Sequence, residues 1–393
     1  MMGSDAIDWS AAQRIGELIA GAGGRAPYGD VRAESIEPLA YDFAARVSAY
    51  TGLELAPAQL PPLELVDRPA WIEANLRTMK PLLDPLTARL GANSGDGDSD
   101  NGGITGIVSG PLRTASGFLF GAQVGALTGV LSQRVLGQYD LALLDAEVQP
   151  RLLLLAPNLA QAARNLGVDR DELVEWVTIH EITHAVQFGG APWLREHLGG
   201  MLRGLIEGLQ VKLNPSSTRD GLPEKQDEKS RRGGGWIPRL DGLGIDPNRL
   251  RELLERARRG ELLRLTLGDE RWQLVERMQA TMSLIEGHAE HTMDAVGAEV
   301  LPSLPRLRAA LNRRRETRGL PWRVLERLLG LELKMRQYEV GKRFCDAVVQ
   351  ADGPEALARV WEGPELLPST AELETPRLWL DRTHVPPVTS SAT

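Results

Sequence analysis

Four glycines, Gly117, Gly121, Gly125 and Gly129, recur at every fourth position inside the uncharged run from Thr114 to Gln133. On a helix that spacing puts all four on one face, where the missing side chains let a second backbone come very close. The run therefore predicts a helix in intimate contact with another, in a protein held together by helix packing. Twenty uncharged residues also approach the length of a bilayer span. Ser116, Gln123 and Thr128 dilute the apolar character, so a buried core helix is the expectation, with membrane association as its alternative.

The rest of the chain supports a mainly α protein. Its 393 residues, 42% of them hydrophobic, are enough to bury a substantial core and exclude disorder along the whole length. Ile15, Leu18 and Ile19, then Leu39, Phe43 and Val47, follow helical spacing, and Pro61 and Pro62 precede a third helix. Residues 1–92 are thus expected to form an N-terminal helical region. Residues 93–103 are nearly all Asp, Asn, Ser and Gly, the composition of a flexible linker. Asp96, Asp98 and Asp100 mimic the start of a calcium loop, but Asn101 stands where the turn glycine belongs and Ile107 where the bidentate glutamate belongs.

A catalytic core over 104–345, with a mobile polar insertion at 214–235, and C-terminal helices and tail over 346–393 complete the expected organisation, as one cooperative domain. Two short strands are expected, Tyr139 to Leu144 and Leu152 to Ala156, so the fold class is mainly α with a small β-sheet (α+β).

Charge and cysteine content narrow the function. Acidic residues outnumber basic ones by 53 to 45, a net charge of −8, which argues against a nucleic-acid partner bound through phosphate neutralisation. The single cysteine, Cys345, excludes an internal disulfide and any thiolate cluster, so a metal would have to be held by His, Asp or Glu. Met1 to Trp9 carries Asp5 and Asp8 and no apolar run behind a basic start, so a cytoplasmic location is expected.

The chemistry concentrates at His180-Glu181-Ile182-Thr183-His184. Asp169 and Glu172 form a predicted capping box that opens a helix running to Gly189 and Gly190. Histidines at i and i+4 on that helix lie one turn apart on one face, so both imidazoles can reach one zinc ion. Glu181 is offset enough to serve a water rather than the metal, as the general base. This is the HExxH arrangement, in which zinc brings the pKa of its water down to about 7.

A third ligand is still required. Glu286-Gly287-His288-Ala289-Glu290-His291 lies inside a predicted helix from about Asp269 to Val296, with Met278, Met282, Ile285, Ala289 and Val296 as its apolar stripe. Glu286 is the leading candidate, because a buried glutamate needs a strong partner. His291, His288 and Glu290 are the alternatives. Glu290, one turn on, is expected to accept the second N–H of a zinc-bound histidine. His197 and His384 are expected to be ordinary surface or packing residues.

HEITHAVQF followed far downstream by LIEGHAEHTMD resembles the gluzincin branch of zinc metallopeptidases, whose third ligand is the Glu of a helical EG motif. The whole chain is similar to a family of zinc-dependent metallopeptidases of high-GC bacteria, sometimes labelled as associated with deazaflavin-coenzyme biosynthesis. The matching stretches are GQYD at Gly137 to Asp140, LLLLAPNL at Leu152 to Leu159, WVTIHEITHAVQF at Trp176 to Phe188, PWL at Pro192 to Leu194, IEGHAEH at Ile285 to His291 and QYEVGKRF at Gln337 to Phe344. The resemblance implies a zincin-like core with additional helices, and by motif match the zinc ligands His180, His184 and Glu286 with Glu181 as base. The long stretch between His184 and Glu286 departs from compact gluzincins.

The expected function is zinc-dependent hydrolysis of peptide bonds in a peptide or protein substrate. An extended peptide is expected to lie on the strand Leu152 to Leu155 as a sheet edge. Tyr338, in the QYEVGKRF stretch, is the first candidate for stabilising the oxyanion, with His288 and His291 as alternatives. The competing expectation is a catalytically degenerate zincin acting as a scaffold, with basic helices from Arg306 to Arg343 meeting a partner.

Overall fold

In the computed structural model, Leu152, Leu153, Leu154 and Leu155 of strand β3 (Arg151–Leu155) have at most 1% of their surface exposed. The structure describes residues 7–22, 33–92, 105–145, 147–212, 269–316 and 331–383, with the backbone alone over 22, 33–35, 85–92, 105–116, 208–212, 314–316 and 331–338. β3 is the middle of a three-stranded sheet. It pairs in parallel with β1 (Leu63–Val66) and antiparallel with β2 (Gly137–Asp140), the strand order being β1-β3-β2.

Alternation along β3 divides the interior. Leu152 and Leu154 join one apolar cluster and Leu153 and Leu155 join another. Each buried leucine contributes about 1.5–3 kcal/mol, so this five-residue strand anchors helices on both its faces.

The larger cluster gathers residues of α2 (Ala33–Thr51), α6 (Arg170–Gly190), α7 (Trp193–Lys212), α8 (Asp269–Val300), α9 (Leu304–Glu316) and α10 (Leu331–Asp352). It extends to Trp379 and Leu380 of the C-terminal helix Pro376–Thr383. The smaller one gathers α1 (Trp9–Ala22), α3 (Arg68–Ala92) and α4 (Thr105–Ser132). α5 (Ala156–Leu166) follows β3 directly and ends on Gly167, whose φ of 62° is the left-handed cap that favours glycine. The architecture is mainly α with a small sheet.

The glycine-striped run lies in α4, and its partner is α1. An added Cβ at Gly121, Gly125 or Gly129 would meet the backbone of Asp8, Ala12 or Gly16 respectively. The stripe is used for helix contact, and no helix among the described residues is long and apolar enough to cross a membrane. Phe118, Leu119 and Phe120 on the same helix are exposed.

Several expectations change. β1 carries no distinct sequence signal, since four residues after Pro61 and Pro62 are too few to show a period. Leu18, one of the apolar residues at helical spacing in α1, is 73% exposed. The strand expected at Tyr139 to Leu144 begins and ends earlier, as β2. Leu152 to Leu155, taken as a sheet edge, is the central strand, so the free edge on this side belongs to β2. The linker at 93–103 and the insertion at 214–235 lie outside the described residues.

Candidate metal centre

α6 begins at the N-cap Asp169, whose carboxylate accepts from the backbone N–H groups of Asp171 and Glu172. The other half of the expected capping box is replaced by a long-range bond: Glu172 accepts from the Ser303 hydroxyl, 3.0 Å away. Thus anchored, the helix places His180 and His184 one turn apart with their Nε2 atoms separated by 3.3 Å. Glu286 of α8 lies across from them, its Oε2 3.6 Å from His184 Nε2 and 3.8 Å from His180 Nε2. Tetrahedral zinc with ligand bonds of 2.0–2.2 Å separates its ligand atoms by about 3.4 Å. The distances, 3.3 to 3.8 Å, lie close to that value, and among the described residues these three form the group able to hold a metal.

Electrostatics favour a cation here. Burial pushes the Glu181 carboxyl up to about 7, with nearby Glu286 adding to the rise and His184 and the Tyr139 backbone N–H opposing it. Burial works against charge on His184, but the facing Glu286 carboxylate and then Glu181 outweigh it and raise the imidazole to about 9. Two carboxylates therefore draw positive charge into one buried spot, and the two-nitrogen, one-oxygen donor set suits zinc.

The two histidines are oriented differently. His184 Nδ1 meets Gln187 Oε1 at 2.9 Å. His180 Nδ1 is 3.1 Å from the Met293 sulfur, a weak acceptor, and its ring stacks within 10° of parallel on Trp176. The role expected of Glu290 at the second histidine nitrogen thus falls, for His184, to Gln187. Glu290 lines the same cleft and accepts from Arg308 at 3.2 Å. Arg308, in the basic helices assigned to a scaffold surface, also pairs with Asp294 and so faces inward.

The cleft holds about 610 Å³. β2 and the residues before it form one wall, α6 the next, and Met282, Ile285, Glu286 and Glu290 of α8 the third. Glu181 lies between the first two walls and accepts from the Tyr139 backbone N–H. Gly137 makes that approach possible, because an added Cβ would lie 2.7 Å from Glu181 Oε1 and 2.6 Å from Val177. Gly137→Ala should therefore shift the Glu181 carboxylate and cost about 1–3 kcal/mol by overpacking, read as a lowered thermal midpoint.

The two histidine candidates for the oxyanion face elsewhere. His291 takes a hydrogen bond with the Tyr50 hydroxyl at 2.8 Å and with Asp346 at 2.7 Å, on the side of α8 that meets α2 and α10. His288 is closed in by Gln187, 2.9 Å from its Nδ1, and by Trp361 edge-on, and burial, with His291 and His184 adding to it, brings its pKa down to about 3. Neither lines the cleft, because rotation along α8 turns positions 288 and 291 away from the face of Glu286. The backbone of Tyr338 lies in α10, and its side chain lies outside the described residues. Cys345 is buried, and burial pushes its thiol up.

Sequence reasoning missed Gln187, Gly137 and Trp176. Gln187 carried a usable signal, being three residues after His184 and hence on the same helical face. Gly137 carried none, because its contact with Glu181 depends on how β2 meets α6.

The profile of the zincin-like metallopeptidases matches residues 7–380. A crystal structure from Chloroflexus aurantiacus, described as that of a candidate hydrolase with a novel fold, is similar at 29% identity. The match has a TM-score of 0.62 and covers 96% of this chain and 98% of that one. No curated protein matches. With the profile spanning nearly the whole chain and a two-histidine, one-glutamate group at the floor of its cleft, the protein belongs to the zincin-like metallopeptidase family.

Proposed function

We propose that the protein is a zinc-dependent metallopeptidase in which His180, His184 and Glu286 hold the ion and Glu181 is the general base. The observation that carries this reading is the agreement of the three donor-atom separations with tetrahedral zinc, beside a buried glutamate in one cleft. Bound zinc would polarise the scissile carbonyl and activate a water for attack. Glu181, held by the Tyr139 N–H and raised toward neutrality by burial, is suited to take a proton and pass it to the leaving amine. The description of the Chloroflexus protein as a candidate hydrolase supports the same reaction class.

The substrate is a peptide laid along β2, the sheet edge that forms a cleft wall, since an extended chain offers backbone hydrogen-bonding groups to such an edge. Leu136, Leu143, Phe188, Leu198, Met282 and Ile285 give the cleft an apolar lining suited to a bulky apolar side chain. A scaffold role would leave the assembled ligands and base without a use.

Elemental analysis tests the reading first. The purified protein should carry about one zinc per chain, and His184→Ala and Glu286→Ala should each lower occupancy by tenfold or more in dilute chelator. A mixed peptide library should be cut beside large apolar residues by the wild type and left intact by both variants. Unchanged zinc in both variants would remove the assignment.

A further inference from the structure

Gln187 is fully buried and makes three polar contacts that fix its orientation. Its amide Nε2 donates to the backbone carbonyl of Ile285 at 2.9 Å and lies 2.9 Å from His288 Nδ1, while Oε1 lies 2.9 Å from His184 Nδ1. A backbone carbonyl can only accept, so the Ile285 contact requires the NH₂ end of the amide to face α8. The oxygen end then faces His184, and an amide oxygen can only accept, so Nδ1 of His184 must carry the hydrogen. In the neutral ring, the form that binds a metal, the lone pair is then on Nε2, the atom that faces His180 and Glu286.

The constraint originates at the residue preceding Glu286. One amide thus joins the backbone that carries one ligand to the ring that supplies another. His180 Nδ1, by contrast, lies 3.1 Å from the Met293 sulfur.

We propose that Gln187 is a positioning residue that sets the metal-binding tautomer of His184 and through it the zinc affinity. This rests on the reading of the site as a zinc centre. The hydrogen bond from His184 also raises the basicity of the ligating nitrogen, and loss of such a partner weakens metal binding by about 10- to 100-fold.

The test is zinc affinity, measured with zinc alone against a competing chelator, for Gln187→Met, Gln187→Glu and His184→Ala. Met matches the shape and removes every polar contact, so a loss of about 10- to 100-fold is expected. Glu keeps an acceptor for His184 in either protonation state, so affinity within about threefold of wild type is expected. A role confined to tying α6 to α8 would predict equal loss in both, because neither keeps the full set of amide bonds. Wild-type affinity in Gln187→Met, or a tenfold loss in Gln187→Glu, overturns the inference. Should Gln187→Met fail to fold, Gln187→Glu decides by the same thresholds. Unchanged affinity in His184→Ala would instead overturn the zinc centre itself, whereas its loss beside an unaffected Gln187→Met would overturn this inference alone.

Discussion

Glu181→Gln should retain zinc and fold but lose peptide hydrolysis by about 100- to 10,000-fold, the range that removal of a positioned general base produces. The structure explains why the folded state should tolerate the change. Glu181 accepts from the Tyr139 backbone N–H, and a glutamine oxygen can accept the same bond. The carboxyl is buried and already raised to about 7, so a neutral amide costs the surroundings little desolvation. What disappears is the capacity to take a proton. Paired measurements of zinc content and of cleavage of an apolar-rich peptide library would check this, and a variant that cleaves at the wild-type rate would exclude Glu181 as base.

Gly341→Ala should give the largest loss of stability among single-methyl substitutions. α8 and α10 cross with Gly287 against Gly341, and a Cβ on either glycine would overlap the backbone of the other helix: Ser283 for Gly341, and Gly341 with Lys342 for Gly287. Backbone cannot rotate away as a side chain can, so the helices must separate. Overpacking of this kind costs about 1–3 kcal/mol and occasionally more. Because Gly287 adjoins Glu286, separation should also weaken zinc binding. Gly200→Ala, inside α7 with nothing within 4 Å of the added Cβ, is the control. It should stabilise by about 0.5–1 kcal/mol through helix propensity. Thermal unfolding of the two variants side by side, with zinc titration of each, tests the contrast; a Gly341→Ala protein with an unchanged midpoint would show that the helices can absorb the methyl.

The four titratable residues between Glu286 and His291, both included, show where sequence information stops. Helical period states that Glu286 and Glu290 share a face and that His288 and His291 point elsewhere. It does not state which face meets the paired histidines. That choice follows from the Gly287–Gly341 crossing, which turns His291 toward Asp346 and Tyr50 and leaves Glu286 opposite α6. The position of the sheet edge has the same character. The strand at Leu152 was legible and β2 only in part, its expected span sharing Tyr139 and Asp140 with the observed one; but an apolar run of leucines reads alike at the edge or the centre of a sheet, and β1, the neighbour that covers β3, gave no signal.

Local periodicity and capping were enough to determine the helical fold class, the one-turn spacing of His180 and His184, the Asp169 start of their helix and the need of the glycine stripe for a close partner. These depend on residues within a few turns of one another, where the 3.6-residue repeat fixes relative direction. The tertiary structure alone decided that α1 fills the stripe, that β2 is the free edge, that Glu286 rather than His288 or His291 faces the paired histidines and that Gln187 Oε1 meets His184 Nδ1. Each of these joins segments far apart in the chain, and which faces meet is set by the best joint burial of apolar surface and pairing of polar groups, a property of the whole packed molecule.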